Sequence, residues 1–221
     1  IGTIYGYKTD GIAQLGEDLS GIPFFAGKTL RHGDRKYVNK NDDNVINEED
    51  LFILGNANPD FTFGFNNTFN FKLRNNSSLG LTVGNEIVNF NTFSLESFAG
   101  YKNNSTAALN RWTPDNPTNL YPRATTKTAG NILSDHYVED GSYLRIKDIT
   151  LSYTFPANII KKFYCEGLTI FAGLKNIHTF TDYSGYDPEV SRFANNNLSM
   201  GADYGSYPMS KSYEFGLRMN F

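Results

Sequence analysis

From Phe61 to Arg74 the odd positions are Phe61, Phe63, Phe65, Asn67, Phe69, Phe71 and Leu73, and the even ones are Thr62, Gly64, Asn66, Thr68, Asn70, Lys72 and Arg74. Only Asn67 breaks the apolar phase. The same period runs from Tyr207 to Phe221, where Tyr207, Met209, Tyr213, Phe215, Leu217, Met219 and Phe221 share one phase and Lys211 alone interrupts it. A period of two is the signature of a strand with one apolar and one polar face. Both runs are longer than the about 5–6 residues of an ordinary soluble strand. Two further strands are predicted where Ile149, Leu151, Tyr153 and Phe155, and then Leu168, Ile170, Ala172 and Leu174, alternate with mostly polar neighbours. Leu79, Leu81 and Val83 keep one phase while Val88 and Phe90 follow in the other, which predicts a bulge near Gly84-Asn85. A short strand at Ile1–Lys8 makes about six.

The connectors alternate in length. Asn75–Ser78 is predicted as a tight polar turn and Pro156–Gly167 as a modest one, whereas Thr9–Pro59, Ser94–Glu139 and Thr181–Ser206 are long and rich in Asn, Gly, Asp and Pro. Short turns at one end and long loops at the other are the pattern of an outer-membrane barrel, with the short side periplasmic. Tyr207, Tyr213, Phe155 and Phe221, near strand ends, suit interfacial aromatic girdles. The competing fold is a soluble secreted β-sandwich whose Phe-rich faces meet in a dry core and whose aromatic loops bind glycan.

Composition bears on that choice. The 221 residues carry 20 Lys+Arg against 23 Asp+Glu, a net charge of −3, so no basic field favours nucleic acid. Aromatic residues are 15% of the chain, and the polar positions are filled largely by Asn. No run reaches the about 18–20 apolar residues of a membrane-spanning helix, and Ile1–Asp10 does not read as a signal peptide. A spanning strand needs only about 9–11 alternating residues, so neither point excludes a membrane barrel. The lone Cys165 rules out an intramolecular disulfide and a cysteine-based zinc site.

Blocks of sequence carry a more specific signal. Tyr5-Gly6-Tyr7-Lys8-Thr9-Asp10-Gly11-Ile12, Gly33-Asp34-Arg35-Lys36-Tyr37-Val38-Asn39 and Leu54-Gly55-Asn56-Ala57-Asn58-Pro59 come first. Arg111-Trp112-Thr113-Pro114-Asp115-Asn116-Pro117-Thr118, then Val138-Glu139-Asp140-Gly141-Ser142-Tyr143-Leu144-Arg145-Ile146-Lys147, follow. Gly173-Leu174-Lys175-Asn176, Asp187-Pro188-Glu189-Val190 and Tyr204-Gly205-Ser206-Tyr207-Pro208 close the series. In this order the blocks resemble the landmarks of SusC/RagA-like TonB-dependent outer-membrane transporters. The resemblance implies an all-β chain of antiparallel up-and-down transmembrane strands, the C-terminal part of a 22-stranded barrel spanning residues 1–221, with the plug domain absent. An open six-stranded sheet would leave two unpaired edges in lipid, which also predicts a fragment. By the same resemblance the protein lies in the bacterial outer membrane, in contact with lipid. It would import oligosaccharide or peptide, engage TonB through a missing N-terminal region, and meet a SusD-like surface lipoprotein with its long loops.

One stretch has metal-ligand spacing. Asn39, Asn41, Asp43, Asn47 and Asp50, with the Val45 carbonyl, occupy positions 1, 3, 5, 9, 12 and 7 of a twelve-residue EF-hand-type loop, which predicts a weak structural Ca²⁺. Asn at positions 1 and 3, Asn44 in place of the turn glycine and Asp50 in place of a bidentate Glu lower the charge of the set. The alternative is a loop of Asx turns without an ion. His32, His136 and His178 lie in separate segments, and no nucleophile elbow or phosphate loop occurs, so no catalytic residue is predicted. Trp112, Tyr121, Tyr183, Tyr186 and Tyr204 are candidates for stacking on sugars or anchoring a partner. The glycosylation-type triplets at Asn66, Asn76, Asn103, Asn104 and Asn197 follow from Asn frequency.

Overall fold

The computed structural model describes residues 2–71, 73–95, 105–124, 132–160, 166–190 and 200–221. Along them run β1 (Thr3–Gly6), β2 (Thr9–Ile12), β3 (Phe24–Phe25), β4 (Arg35–Tyr37), β5 (Val45–Ile46), β6 (Phe52–Asn56), β7 (Phe61–Asn70) and β8 (Leu73–Val83). Then come β9 (Glu86–Asn89), β10 (Val138–Asp140), β11 (Tyr143–Thr154), β12 (Gly167–Thr181), β13 (Ala202–Asp203) and β14 (Ser212–Asn220). The chain divides into two compact units. One comprises Ile1–Asn58, Glu86–Asp140 and Val190–Ser206, the other Pro59–Asn85, Gly141–Glu189 and Tyr207–Phe221.

The second unit is one antiparallel sheet in the order β14-β12-β11-β8-β7. Residues paired across strands share a face, so the register sorts the side chains. One face carries the rows Phe65, Leu79, Ile146, His178 and Phe69, Asn75, Leu151, Ala172, Phe215, with Ile170 opposite Leu217 and Leu168 opposite Met219. The other carries Gly64, Gly80, Arg145, Thr179, then Asn66, Ser78, Asp148, Lys175, then Thr68, Asn76, Thr150, Gly173, Glu214. The alternations seen separately in the sequence therefore share one phase across the sheet. The apolar face stays uncovered, with Phe65 half exposed and Phe215 at 80%. A sandwich would need a second sheet over that face, and the described residues of this unit form no other. In water a contiguous apolar face of this kind is costly, and soluble monomers keep such patches to a few hundred Å²; hydrocarbon removes the penalty. The 15 residues of β12 extend about 50 Å along the strand, and at about 45° tilt they rise about 35 Å, more than the about 25 Å apolar band of an outer-membrane barrel.

Several predicted boundaries move. Asn75–Ser78 lies within β8, not in a turn, because these four residues pair with Phe69 to Asn66 on one side and Leu151 to Asp148 on the other. The reversal between the two strands instead falls between Asn70 and Leu73, where Phe71 N donates to Leu73 O. A polar tetrapeptide is stable inside a strand when ladder bonds on both sides satisfy its backbone. The phase change at Gly84-Asn85 is an exit from the sheet rather than a bulge within it. Gly84 adopts φ 82°, and an added Cβ would fall 2.2 Å from Asp60 Oδ2, while β9 beyond it belongs to another sheet. The strand predicted at Ile1–Lys8 forms over β1 but pairs with β6 outside the five-stranded sheet.

The first unit has a dry core of its own, including Ile4, Ile12, Tyr37, Ile46, Ile87, Val88 and Tyr137. Its strands are short. β1 pairs with β6 and β2 with β4, β3 runs parallel to β5, and β9 lies between β10 and β13. Tyr7, Phe25 and Tyr37 meet edge to face at 5.3–5.9 Å between ring centres, the offset geometry aromatic quadrupoles favour. Burial pushes the Tyr37 phenol above its ordinary range. The segment predicted as the long loop Thr9–Pro59 is thus largely ordered by tertiary packing.

Candidate functional site

The polar face of the sheet is organised around Arg145, whose side chain is almost fully buried on β11. Its Nε donates to Thr179 Oγ1 at 2.9 Å, Nη1 to Glu189 Oε2 at 2.7 Å and Nη2 to Asp187 Oδ1 at 2.5 Å. The guanidinium also lies 5.0 Å from the Tyr143 ring centre. Asp187 is buried too, and it accepts further bonds from Glu189 N at 2.9 Å and, on Oδ2, from Met209 N at 3.1 Å. One carboxylate thus holds the chain leaving β12 and the chain approaching β14. Lower on the same face Lys175 pairs with Glu214 at 2.5 Å, and Thr150 Oγ1 donates to Asp148 at 3.0 Å.

Sequence reading placed Arg145, Asp187 and Glu189 inside two separate blocks without assigning them a role. An arginine on the polar phase of a strand with an Asp-x-Glu after the next strand was the available signal. A second signal also went unread: Leu144 and Ile146 are apolar on even positions, whereas Ile149, Leu151 and Tyr153 are apolar on odd ones. The register shifts between Ile146 and Asp148 against both neighbouring strands. This bulge turns Lys147 and Asp148 to the polar face together. On β12, Asn176 takes φ 50°, a left-handed conformation that Asn tolerates.

The loop with metal-ligand spacing lies in the first unit and brings its six predicted ligands together along one turn sequence. Asn39 Oδ1 accepts from Asp42 N at 3.0 Å, Asn41 Oδ1 from Asp43 N at 3.2 Å, Asp43 Oδ1 from Val45 N at 2.9 Å and Asn47 Oδ1 from Glu49 N at 2.7 Å. Asp42 and Asn44 are left-handed, at φ 59° and 68°. Asp50 is fully buried, and its two oxygens accept from Lys40 N at 2.7 Å and Asn47 N at 2.8 Å, which closes a capping box with Asn47. At the centre, Asn41 Nδ2 and Asn47 Nδ2 approach Asp43 Oδ2 at 3.1 and 3.4 Å. There the carboxamides offer N–H to Asp43 where a cation would need oxygen. Among the described residues no three His, Cys, Asp or Glu side chains gather as a metal site.

The remaining candidates separate. Trp112 is 5% exposed and donates from Nε1 to Gln14 Oε1 at 2.9 Å, and Tyr183 is equally buried, so both serve packing. Tyr204 stacks on Phe90 at 4.1 Å between ring centres. Tyr121 meets His136 edge to face. Tyr186, at 79% exposure, alone presents an open ring among these five. His32 contacts the Glu17 carbonyl at 3.1 Å, His136 packs on Tyr137, and His178 packs on Phe180 on the apolar face, so the three histidines do not converge. The Lys36 ammonium, 2.6 Å from Glu17, holds that carboxyl below the usual carboxylate range. Cys165, Asn103, Asn104 and Asn197 lie outside the described residues.

No protein-family model matches the chain. It is similar to TonB-dependent receptor P3 of Formosa agariphila, with 34% identity over the whole chain and 22% of the relative. It is also similar to TonB-dependent receptor P26 of that organism, at 33% identity over 86% of the chain, and to TonB-dependent receptor SusC of Bacteroides thetaiotaomicron, at 25% over 84%. In fold it matches the RagAB peptide importer in its open-open state, with a TM-score of 0.74 over 99% of the chain at 22% identity. The chain spans about a fifth of the length of the curated relatives it matches.

Proposed function

Because the chain belongs with the SusC/RagA-like TonB-dependent receptors of the outer membrane, we propose that it forms the C-terminal part of the wall of a nutrient importer. The observation that carries this reading is the register, which sets most of the large apolar side chains of five strands, with Phe171 an exception, outward on one uncovered face and the charged ones on the other. Lipid covers the first face and the lumen wets the second, as in membrane barrels. β7 and β14 are the edges of the sheet within this chain. They pair with other strands of a 22-stranded barrel that also encloses the plug. The cargo is an oligosaccharide or a peptide. Import draws on TonB, and a SusD-like lipoprotein meets the long-loop end, where Tyr186 offers an open ring.

For the loop we propose a weak structural Ca²⁺ held by Asn39, Asn41, Asp43, the Val45 carbonyl, Asn47 and Asp50. Its support is the twelve-residue spacing and the left-handed turn at Asn44. The N–H groups that Asn41 and Asn47 turn on Asp43 limit its affinity, because each must yield before the carboxylate can ligate an ion.

The topology is tested on whole cells expressing the full-length receptor. Cysteines placed at Tyr186 or Leu109, both highly exposed, should react with an impermeant maleimide, while one at Asn158 in the short connection should not. The reverse pattern rejects the orientation, and equal labelling rejects the membrane wall. Uptake of oligosaccharide or peptide that continues without TonB rejects the import reading.

A further inference from the structure

On the wall facing the lumen, Lys147 is set apart from the paired cations by the backbone that places it. Arg145 is satisfied by Asp187 and Glu189, and Lys175 by Glu214. Both strand carboxylates of that face, Asp148 and Glu214, already have partners, Thr150 Oγ1 and Lys175. Lys147 is exposed and has no hydrogen bond or ion pair among the described residues. Two features of the backbone place it there. The bulge between Ile146 and Asp148 adds it to the polar face out of the strand's alternation. Its side chain then lies across Gly80 of β8, where an added Cβ would fall 2.4 Å from Lys147 Cε and 3.0 Å from Nζ. Glycine inside a strand weakens it and commonly marks a place that something else must approach closely. On the far side of Gly80, its partner Gly64 in β7 has open space where a side chain would be. The lysine side chain therefore lies along a shallow strip of the polar face where two neighbouring strand positions carry no side chain.

We propose that Lys147 is a docking point for a carboxylate carried by the cargo, so that the importer selects acidic oligosaccharides or acidic peptides over neutral ones. This rests on the import reading and narrows its substrate class. An ammonium is a compact point charge with three donors and no planar preference, suited to a carboxylate presented in varied orientations along a moving chain. Arg74 and Arg218, on the same face toward the short-turn end and also without ion partners among the described residues, extend the positive strip along the wall.

The test uses the full-length receptor in detergent micelles and reads acylation of Lys147 by an N-hydroxysuccinimide ester through peptide mass spectrometry. The probes are trigalacturonate and N-acetyl-triglutamate, with maltotriose and N-acetyl-triglycine amide as neutral counterparts. Lys147 should react readily in the free receptor and at least fivefold more slowly with an acidic probe, with no change from the neutral ones. Protection by the sugar acid alone or the acidic peptide alone identifies the source of the carboxylate. Gly80→Ala, which displaces the lysine from its cradle, should weaken protection. The proposal is overturned if Lys147 is already unreactive without probe, since a carboxylate elsewhere in the polypeptide then holds it. It is equally overturned if neutral probes protect as well as acidic ones, or if none protects. TonB-dependent uptake of any cargo, measured separately in cells, decides the import reading independently of this result.

Discussion

Removing the Arg145 guanidinium leaves a buried carboxylate without its cation, and the size of that effect follows from the surroundings. Asp187 is 7% exposed, and without Arg145 the donors it keeps among the described residues are the amides Glu189 N and Met209 N. Glu189, whose side chain is half exposed, returns to water with little loss. Breaking a buried ion pair from one side costs about 3–5 kcal/mol, most of it the stranded charge, whereas replacing both partners by apolar groups of similar size is often close to neutral. Arg145→Met should therefore destabilise the folded barrel by about 3 kcal/mol or more, while Arg145→Met with Asp187→Leu should recover most of that loss. Arg145→Lys should fall between, because an ammonium cannot serve Thr179, Asp187 and Glu189 in one plane. Urea unfolding of the full-length receptor in lipid vesicles, followed by tryptophan fluorescence and by heat-modifiable migration on gels, measures each variant. A double variant as unstable as Arg145→Met, or a single variant no worse than a surface substitution, would refute the view that Asp187 depends on Arg145 for its charge.

Other outcomes follow from the same structure. Arg at Phe65 or Leu217, if near the bilayer midplane, should cost about 2–4 kcal/mol in the same unfolding assay, and Arg at Thr68 should be mild; equal costs would contradict the assignment of faces. Gly84→Ala should destabilise by more than about 1 kcal/mol because its positive φ disfavours a side chain; adding Asp60→Ala should relieve the contact with Asp60 Oδ2 but not the backbone strain. Calcium titration of the full-length receptor should show a midpoint of about 10⁻⁴–10⁻³ M that Asp43→Asn abolishes, and a titration indifferent to that change would leave the Asx-turn loop as the account. Since the Glu17 carboxyl lies below its ordinary range, its pairing with Lys36 is complete at neutral pH and is lost only as pH falls through the lowered value. Lys36→Met should move the Glu17 titration back up, as read by NMR of selectively labelled glutamate.

The faces of the sheet were legible because lipid selects them strongly. Phe63, Phe65, Phe215 and Leu217 alternate with polar residues, and no tertiary packing overrides that phase. The short turn was misplaced because Asn75-Asn76-Ser77-Ser78 has turn composition, and composition cannot report that two neighbouring strands will satisfy its backbone. The phase change at Gly84 was visible, but its meaning depended on where the chain went next. Arg145 and Asp187 are separated by β12 in sequence, so their ion pair required knowledge of the pairing order. Lys147 was within reach: the spacing from Ile146 to Ile149 breaks the alternation by one residue, which is what a bulge does. The strand predicted over Ile1–Lys8 forms at Thr3–Gly6 and pairs with β6, outside the five-stranded sheet, a pairing that the local pattern does not report.

The hydrogen bond from Met209 N to Asp187 Oδ2 draws together the two stems of the segment between β12 and β14. A loop joined at its base is insulated from its own length, since closure entropy is met once at the neck and grows only slowly with the residues beyond it. The pairing of β12 with β14 is then set below that neck, whatever the length of the connection that carries β13. A sheet whose connecting segment is tied at the neck keeps its pairing independent of what the connection carries.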